Sequence, residues 1–376
     1  MDRKSSRPRE LVSTGRRQFI RNAAAGAALS AAGTSVIPRT LFAQTQKKVS
    51  FTLPWLPNGA SLFAFVAKDK GFWSKRGLDV DITRGFGSVA SAQAIAQGKF
   101  DFGMSAAPTY YLQTLKGMKI ISLACSTYDP LMSVMYLESS GIKAPKDLEN
   151  TKMGCVVASG EYPFLPVFAK NAKFDLSKVS IVQTDNKIRT TLLLSKQVKA
   201  ISGFAASVVP SVSAKGIPIR AFLYSKYGMK FYGQMLLTQP SRLASDKGTC
   251  EAFTEGAMEA AKWTMLNPEE ALNIFFKYVK EAALTKSARD GMTIELGMFA
   301  LVNFADDVQQ HGMGYTDLKS YDEMGKLVMD AMAKPGEKAP ELAGIITNDF
   351  VTDKFKFSPA EWSQVQEYIK PYAEML

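Results

Sequence analysis

Histidine and cysteine are scarce in this sequence. One histidine, His311, and three cysteines, Cys125, Cys155 and Cys250, occur in 376 residues. Zinc and iron–sulfur sites are built from clusters of these residue types, and the cysteines form no CxxC pair. A His/Cys metal site is therefore excluded, and we expect neither a metal nor a cofactor. Because an odd number of cysteines identifies no pair, one disulfide and three buried free thiols both stay open.

Motifs of nucleophilic catalysis and of phosphate binding are missing as well. The sequence has no G-x-S-x-G, and His311 lies in a polar turn, QQHGMGYTD, far along the chain. The loop RGFGSVAS has glycines but no following Gly-Lys pair, so it matches neither a Walker loop nor a dinucleotide fingerprint. A paired-carboxylate hydrolase has no supporting motif, since no acidic pair follows successive strands. We expect no catalytic residue and no enzymatic activity.

The first 43 residues differ in composition from the rest. A basic stretch with Arg16-Arg17 precedes NAAAGAALSAAGTSVIP, which is too short and too weakly apolar to span a bilayer. This order is typical of a twin-arginine signal peptide with cleavage near Ala43, and it predicts a periplasmic protein; a disordered basic tail is the alternative. Removing these residues leaves 38 basic and 33 acidic residues, so the net charge falls from +11 to +5. That mild excess does not indicate nucleic-acid binding.

Strand and helix patterns alternate along the chain from Lys48. KVSFTLPW and LDVDITRG have the alternation of strands, whereas ASLFAFVAKDKG and SVASAQAIAQG have helical spacing. Repeated strand–helix units predict largely parallel sheets and an α/β fold. A second series, from LMSVMYLE to VVPSVSAKG, repeats the first and predicts a second α/β lobe. Long helical segments follow Tyr227.

The loops that follow the predicted strands are candidate binding positions, since ligands of open α/β sheets lie beyond the carboxyl ends of the strands. Gly87 and Ser88 can present N–H and hydroxyl donors at a helix start, although they equally suit an ordinary helix cap. Aromatic residues also gather near strand ends and suit a cleft that stacks a flat ligand, although each alone suits the core as well. These residues are Trp55, Phe63, Tyr110, Tyr111, Tyr162, Phe204 and Tyr232.

Five stretches, taken in order, resemble one protein family. They are WLPNGASLFAFVAKDKGFWSKRGLDVDI, GSVASAQAIAQGKFDFGMSAAPTYYLQTLKG, SGIKAPKDLENTKMG, LLSKQVKAISGF and YGMKFYGQMLLT. Across residues 48–275 the chain resembles periplasmic solute-binding proteins of the thiamine-pyrimidine-precursor and nitrate/sulfonate/taurine ABC transporter family. The resemblance implies a type II periplasmic-binding-protein fold, in which two α/β lobes joined by a two-strand hinge close over a small ligand.

The resemblance also implies a domain organisation. Lobe 1 comprises residues 48–128 and 229–376, lobe 2 comprises residues 129–228, and the hinge lies near Thr127–Leu131 and Tyr224–Phe231. The implied partners are a small-molecule solute and an ABC permease of the inner membrane, with no nucleic acid, and the implied oligomeric state is a monomer.

Site residues carry over from the family by position. Trp55 and Asn58 match a Trp-x-Pro-Asn turn, Ser88 matches a helix-start serine, and Tyr232 lies in the segment typical of pyrimidine-precursor binders. Two positions depart from the pattern. Ser61 stands where pyrimidine binders and the related fungal synthases commonly have histidine, which argues against synthase activity. Val209 stands where many relatives have an acidic residue. The acidic residue that a nearby loop offers instead is Glu161.

The expected ligand is a small flat or anionic organic solute, either pyrimidine-like, a sulfonate or an aromatic acid. The alternatives are a pyrimidine-precursor synthase on the same fold and a sensor domain that docks to a membrane kinase. The predicted ligand-binding residues are Trp55, Asn58, Ser61, Gly87, Ser88, Ala107, Glu161, Tyr162, Phe204 and Tyr232.

Overall fold

The computed structural model describes residues 46–157, 159–185 and 188–376. The predicted export signal and its cleavage site lie outside these residues. Within them, every helix is too short or too polar to cross a bilayer.

Ten strands in the described residues form two five-stranded sheets. Sheet A contains β1 (Lys47–Thr52), β2 (Leu78–Thr83), β3 (Phe102–Ala106), β4 (Ile121–Cys125) and β10 (Gln234–Thr238). Sheet B contains β5 (Met132–Leu137), β6 (Lys152–Cys155), β7 (Ser180–Gln183), β8 (Ala200–Phe204) and β9 (Ile219–Leu223).

The two sheets share one topology. Their strand orders are β2-β1-β3-β10-β4 and β7-β6-β8-β5-β9. In sheet A, β10 runs antiparallel to both of its neighbours, and β5 does the same in sheet B, so each sheet has four parallel strands and one antiparallel strand. The predicted α/β fold with two largely parallel sheets is confirmed.

The chain crosses between the sheets twice, at residues 126–131 and 224–233. The crossings lie side by side, because the Gly233 N–H donates to the Thr127 carbonyl oxygen at 2.8 Å and the Gln234 N–H donates to Thr127 Oγ1 at 2.7 Å. A Cβ at position 233 would lie 2.8 Å from that carbonyl oxygen, so only glycine fits this approach. The paired crossings contain both stretches predicted as the hinge.

Six helices follow strands of the two sheets. Those of sheet A are α1 (Leu62–Asp69), α2 (Ser88–Ala96) and α3 (Ala107–Leu115), and those of sheet B are α4 (Leu165–Asn171), α5 (Arg189–Leu194) and α6 (Ala205–Ser213). The remaining helices lie after β10. They are α7 (Pro240–Ser245), α8 (Lys247–Leu266), α9 (Pro268–Tyr278), α10 (Lys286–Asn303), α11 (Asp306–His311), α12 (Leu318–Met332) and α13 (Pro359–Ala373).

Helix α10 packs against elements of both sheets. Its Phe299 stacks on Phe63 of α1 with ring centroids 6.2 Å apart, whereas Met298 is buried in a cluster with residues of α6 and sheet B. Its Gly291 faces α6, where an added Cβ would lie 3.8 Å from the Pro210 carbonyl oxygen. The sequence patterns do not identify α10, because it contains two glycines, which lower helix propensity.

The core beside sheet A is aromatic. Trp73 is fully buried, stacks on Phe253 of α8 with ring centroids 5.3 Å apart, and donates its indole N–H to the Phe253 carbonyl oxygen at 2.9 Å. All three cysteines are buried and free. Of the two alternatives left open by the sequence, one disulfide or three buried free thiols, the second is therefore correct.

Candidate functional site

The turn after β1, residues 55–61, forms a wall at the carboxyl edge of sheet A. The Asn58 N–H donates to Ser61 Oγ at 3.1 Å, and the Ser61 hydroxyl donates to the Asn58 carbonyl oxygen at 3.2 Å. These bonds cap the short 3-10 helix Gly59–Ser61. Ser61 is 1% exposed, whereas Trp55 is 39% exposed. Ser61 therefore holds the shape of the turn, and Trp55 is open to a ligand.

The loop after β2 is fastened to this turn. The Gly85 N–H donates to the Trp55 carbonyl oxygen at 3.0 Å, and the Gly87 N–H donates to the Pro54 carbonyl oxygen at 2.8 Å. Gly87 has φ of 124°, a conformation that favours glycine. Ser88 begins α2, and its Oγ accepts the Ala106 N–H at 3.2 Å. The loops after β1, β2 and β3 thus form one continuous surface.

Two predicted residues have polar groups that bond to protein groups at or beside the second crossing, residues 224–233. The N–H of the buried Ala107 donates to the Gly233 carbonyl oxygen at 2.7 Å. The Tyr232 hydroxyl donates to Asp307 Oδ2 at 2.6 Å and accepts the Asp317 N–H at 3.1 Å. Burial and the Asp307 carboxylate raise the pKa of Tyr232. The Tyr232 hydroxyl is therefore bonded to protein groups that follow β10 in the sequence.

The two lobes approach each other at Gly160, in the loop after β6. A Cβ at this position would lie 3.4 Å from Phe204 Cζ and 3.5 Å from Thr109 Oγ1 of α3. The structure therefore brings Phe204 of lobe 2 close to the start of α3 in lobe 1. The half-buried Tyr162 lies in the same loop as Gly160.

Glu161, also in this loop, is fully buried in an ion pair. Its Oε1 lies 3.7 Å from Arg189 Nη1 and accepts the Ser202 hydroxyl at 3.1 Å, and its Oε2 accepts the Ser159 hydroxyl. Arg189 also donates to the Ser202 carbonyl oxygen at 2.9 Å. Burial lowers the pKa of Arg189, and the Glu161 charge opposes this. The Glu161 carboxylate is thus bonded to protein groups at the carboxyl edge of sheet B.

Most of the large apolar side chains that are exposed in the described residues lie in the loops, or at the helix starts, that follow strands of the two sheets. Of those that follow the strands, Phe86 is the most exposed, at 73%, and its ring centre lies 4.7 Å from the Arg84 guanidinium. They therefore lie at the strand ends where ligands of α/β sheets bind. We call the set the apolar rim, and it comprises Trp55, Leu56, Phe86 and Val89 beside sheet A with Val157 and Ile188 beside sheet B. Sequence reasoning identified only Trp55, because exposure does not follow from residue type.

A further acid, Glu295 of α10, contacts the turn after β1. Its Oε2 accepts the Gly59 N–H at 2.9 Å, and a Cβ at Gly59 would lie 2.7 Å from Glu295 Cβ. Burial raises the pKa of Glu295 to about 7, and the Gly59 N–H opposes this. Glu295 lies outside the stretches that resemble the family, so no motif could identify it.

The raised pKa of Glu295 predicts a pH-dependent stability. Because the folded state holds the proton more tightly than the unfolded chain does, stability from this group is present below about pH 4.5 and is lost as the pH rises through about 7. Between pH 5 and pH 8 we expect the free energy of unfolding of the natural protein to fall by about 2 kcal/mol relative to Glu295→Gln. Urea unfolding at both values measures this difference.

The matched control is Asp290→Asn, since Asp290 lies on the same helix in an exposed pair with Lys286. It should keep the pH dependence of the natural protein. Equal pH dependence in the natural protein and in Glu295→Gln would contradict the prediction.

Comparison with known proteins agrees with the fold. Residues 58–271 match the NMT1/THI5-like family. A formylaminopyrimidine-binding protein of Halalkalibacterium halodurans is 25% identical over 235 residues, which are 62% of this chain and 71% of that protein.

Two solved structures share the fold. The periplasmic nitrate-binding protein of Synechocystis has a TM-score of 0.58 at 12% identity, over 88% of this chain and 91% of that one. The periplasmic aliphatic sulphonate binding protein of Escherichia coli has a TM-score of 0.56 at 13% identity, over 66% of this chain and 83% of that one. The family match covers most strands of both sheets and confirms the resemblance seen in the sequence. The chain belongs to the NMT1/THI5-like family and has the two-sheet α/β fold of periplasmic solute-binding proteins.

Proposed function

We propose that this chain is an exported receptor of an ABC importer that binds a small, flat organic solute between its two lobes and releases it unchanged to a permease. The observation that carries the proposal is the apolar rim, which belongs to both lobes and lies at the edges where ligands of α/β sheets bind. The binding function of the relative from Halalkalibacterium halodurans supports it.

The apolar rim favours an aromatic body in the ligand. Burying a large apolar side chain stabilises a complex by about 1.5–3 kcal/mol, and Trp55 and Phe86 gain this only from a ligand with apolar surface of its own. A small inorganic anion offers none. Among the expected classes, pyrimidine-like solutes and aromatic acids therefore fit better than simple sulfonates.

The proposed lobes are residues 48–128 with 229–376, and residues 129–228. In support, all strands of sheet A lie within the first set and all strands of sheet B within the second. The paired crossings at Thr127 and Gly233 would then act as the hinge about which the lobes close.

A receptor also accounts for the chain better than a synthase does. The Ser61 hydroxyl is used by the cap of the turn, and His311 lies at the end of α11, where its ring stacks on Tyr315 with centroids 4.0 Å apart. Neither residue has the geometry of a nucleophile and its base. A sensor domain of the same fold would bind its ligand in the same cleft. It would differ from a receptor in docking to a membrane kinase instead of a permease.

Native mass spectrometry of protein purified from the periplasm tests the proposal, followed by thermal-shift titration of the natural protein and Trp55→Ala. We expect a co-purified small molecule that binds saturably without turnover. Trp55→Ala should weaken its binding at least about tenfold, because stacking on the rim is lost. Tyr278→Ala, which removes a similarly exposed aromatic ring outside the rim, should bind normally. No co-purified molecule, and no thermal shift with pyrimidines, sulfonates or aromatic acids, would contradict the proposal.

A further inference from the structure

Glu295 of α10 lies against the turn that carries Trp55. Its backbone and Cβ pack against Gly59, in the turn that carries Trp55. One helical turn earlier, Gly291 faces the C-terminal half of α6, where an added Cβ would lie 3.8 Å from the Pro210 carbonyl oxygen and 3.9 Å from Ala214 Cβ. Helix α10 therefore contacts the turn that carries Trp55 through Glu295 and contacts α6 through Gly291.

One oxygen of this carboxylate is available. Oε2 accepts the Gly59 N–H, while Oε1 has no hydrogen-bond partner among the residues that the structure describes. Oε1 is not among the fully buried polar atoms of the described residues that lack a partner, so it keeps some contact with solvent. An ionised carboxylate has about four acceptor positions, and most of them remain open here. Glu161 differs, because both of its oxygens accept hydrogen bonds from serine hydroxyls.

No basic side chain among the described residues forms an ion pair with Glu295. The Arg and Lys residues of neighbouring α10 turns are engaged elsewhere: Lys286 pairs with Asp290, and Arg289 donates to the Ala283 carbonyl oxygen at 3.1 Å. A partly buried carboxylate without a cation repels an anionic group placed beside it and attracts a hydrogen-bond donor or a cation.

We propose that Glu295 is a specificity-determining residue of the cleft: its Oε1 accepts a hydrogen bond from an amine or amidine edge of the ligand and disfavours ligands that present a carboxylate or sulfonate there. The inference rests on the proposed binding function and narrows its ligand class. Of the flat solutes considered above, it favours those with an amino-substituted edge over aromatic acids.

Three compounds with one ring and different polar ends test this directly. Benzamidine, benzamide and benzoate are titrated by calorimetry at pH 8, where the Glu295 carboxyl group is mostly ionised, into the natural protein, Glu295→Gln, Glu295→Ala and Asp290→Asn. The natural protein should bind benzamidine at least about tenfold more tightly than benzoate, because charged hydrogen bonds are the stronger ones. Glu295→Gln keeps an acceptor for the Gly59 N–H but loses the charge, so this preference should fall to about twofold or less.

These compounds and variants distinguish a role of Glu295 in ligand binding from a role only in holding the turn. If Glu295 only holds the turn, Glu295→Ala weakens all three compounds equally and Glu295→Gln keeps the preference, which would overturn the inference. Asp290→Asn should retain the preference of the natural protein. Binding of the three compounds without preference for benzamidine overturns the inference alone. Absence of binding by these and by all compounds in the thermal-shift panel overturns the receptor proposal together with it.

Discussion

Replacing Arg189 with methionine is expected to lower the free energy of unfolding by about 3–5 kcal/mol. Arg189 and Glu161 are both buried, and their side chains lie 3.7 Å apart at the carboxyl edge of sheet B. Methionine leaves the Glu161 charge buried without a counter-ion, and the two serine hydroxyls that bond it replace only part of the lost interaction. Urea denaturation followed by circular dichroism measures the change.

Two further variants make the expectation specific to the buried pair. Adding Glu161→Gln to Arg189→Met should recover most of the lost stability, because it removes the uncompensated charge. Arg220→Met breaks an exposed pair with Glu138 and should cost less than about 1 kcal/mol. If Arg189→Met cost no more than Arg220→Met, the buried pair would not stabilise lobe 2 as we describe.

Replacing Gly85 with alanine is expected to destabilise the protein by about 3 kcal/mol and to weaken ligand binding at the same time. A Cβ at this position would lie 2.7 Å from the Pro54 carbonyl carbon and would overlap the Leu53 carbonyl oxygen. These are backbone atoms, so no change of rotamer relieves the collision. The loop after β2 would have to move away from the turn that carries Trp55, which breaks the hydrogen bond from the Gly85 N–H.

Thermal unfolding and titration with the co-purified ligand check both effects in one preparation. Gly248→Ala is the matched control, since its added methyl group meets no atom within 4 Å and the residue lies in helix α8. It should leave binding unchanged and raise stability slightly. A Gly85→Ala variant that unfolds and binds like Gly248→Ala would contradict the close approach of the two loops.

The strands and the first helices could be predicted from the sequence, because alternation and helical spacing are local properties. KVSFTLPW and SVASAQAIAQG mark β1 and α2 to within a few residues. The direction of β5 and β10 could not, since alternation is the same in parallel and antiparallel strands. The family resemblance, rather than any pattern of residues, implied the hinge, whose two segments directly precede β5 and β10.

The candidate site was predictable only where its residues lie in one loop. Trp55, Asn58 and Ser61 are neighbours in sequence and in space, although the capping role of Ser61 emerges only from its hydrogen bonds. Glu295 contacts Gly59 across 236 residues, and no local pattern reports such a contact. The burial of Glu161 similarly depends on Arg189, which belongs to another strand–helix unit.

The position of β10 in sheet A constrains the order in which the chain acquires structure. Strand β10 lies between β3 and β4, yet it follows all five strands of sheet B in the sequence. While the ribosome is still adding residues 129–228, β4 lacks its neighbour in the sheet, whereas sheet B already has all of its strands by residue 223. The second lobe can therefore be complete before the first, and the sheet begun earliest in synthesis is the last to close.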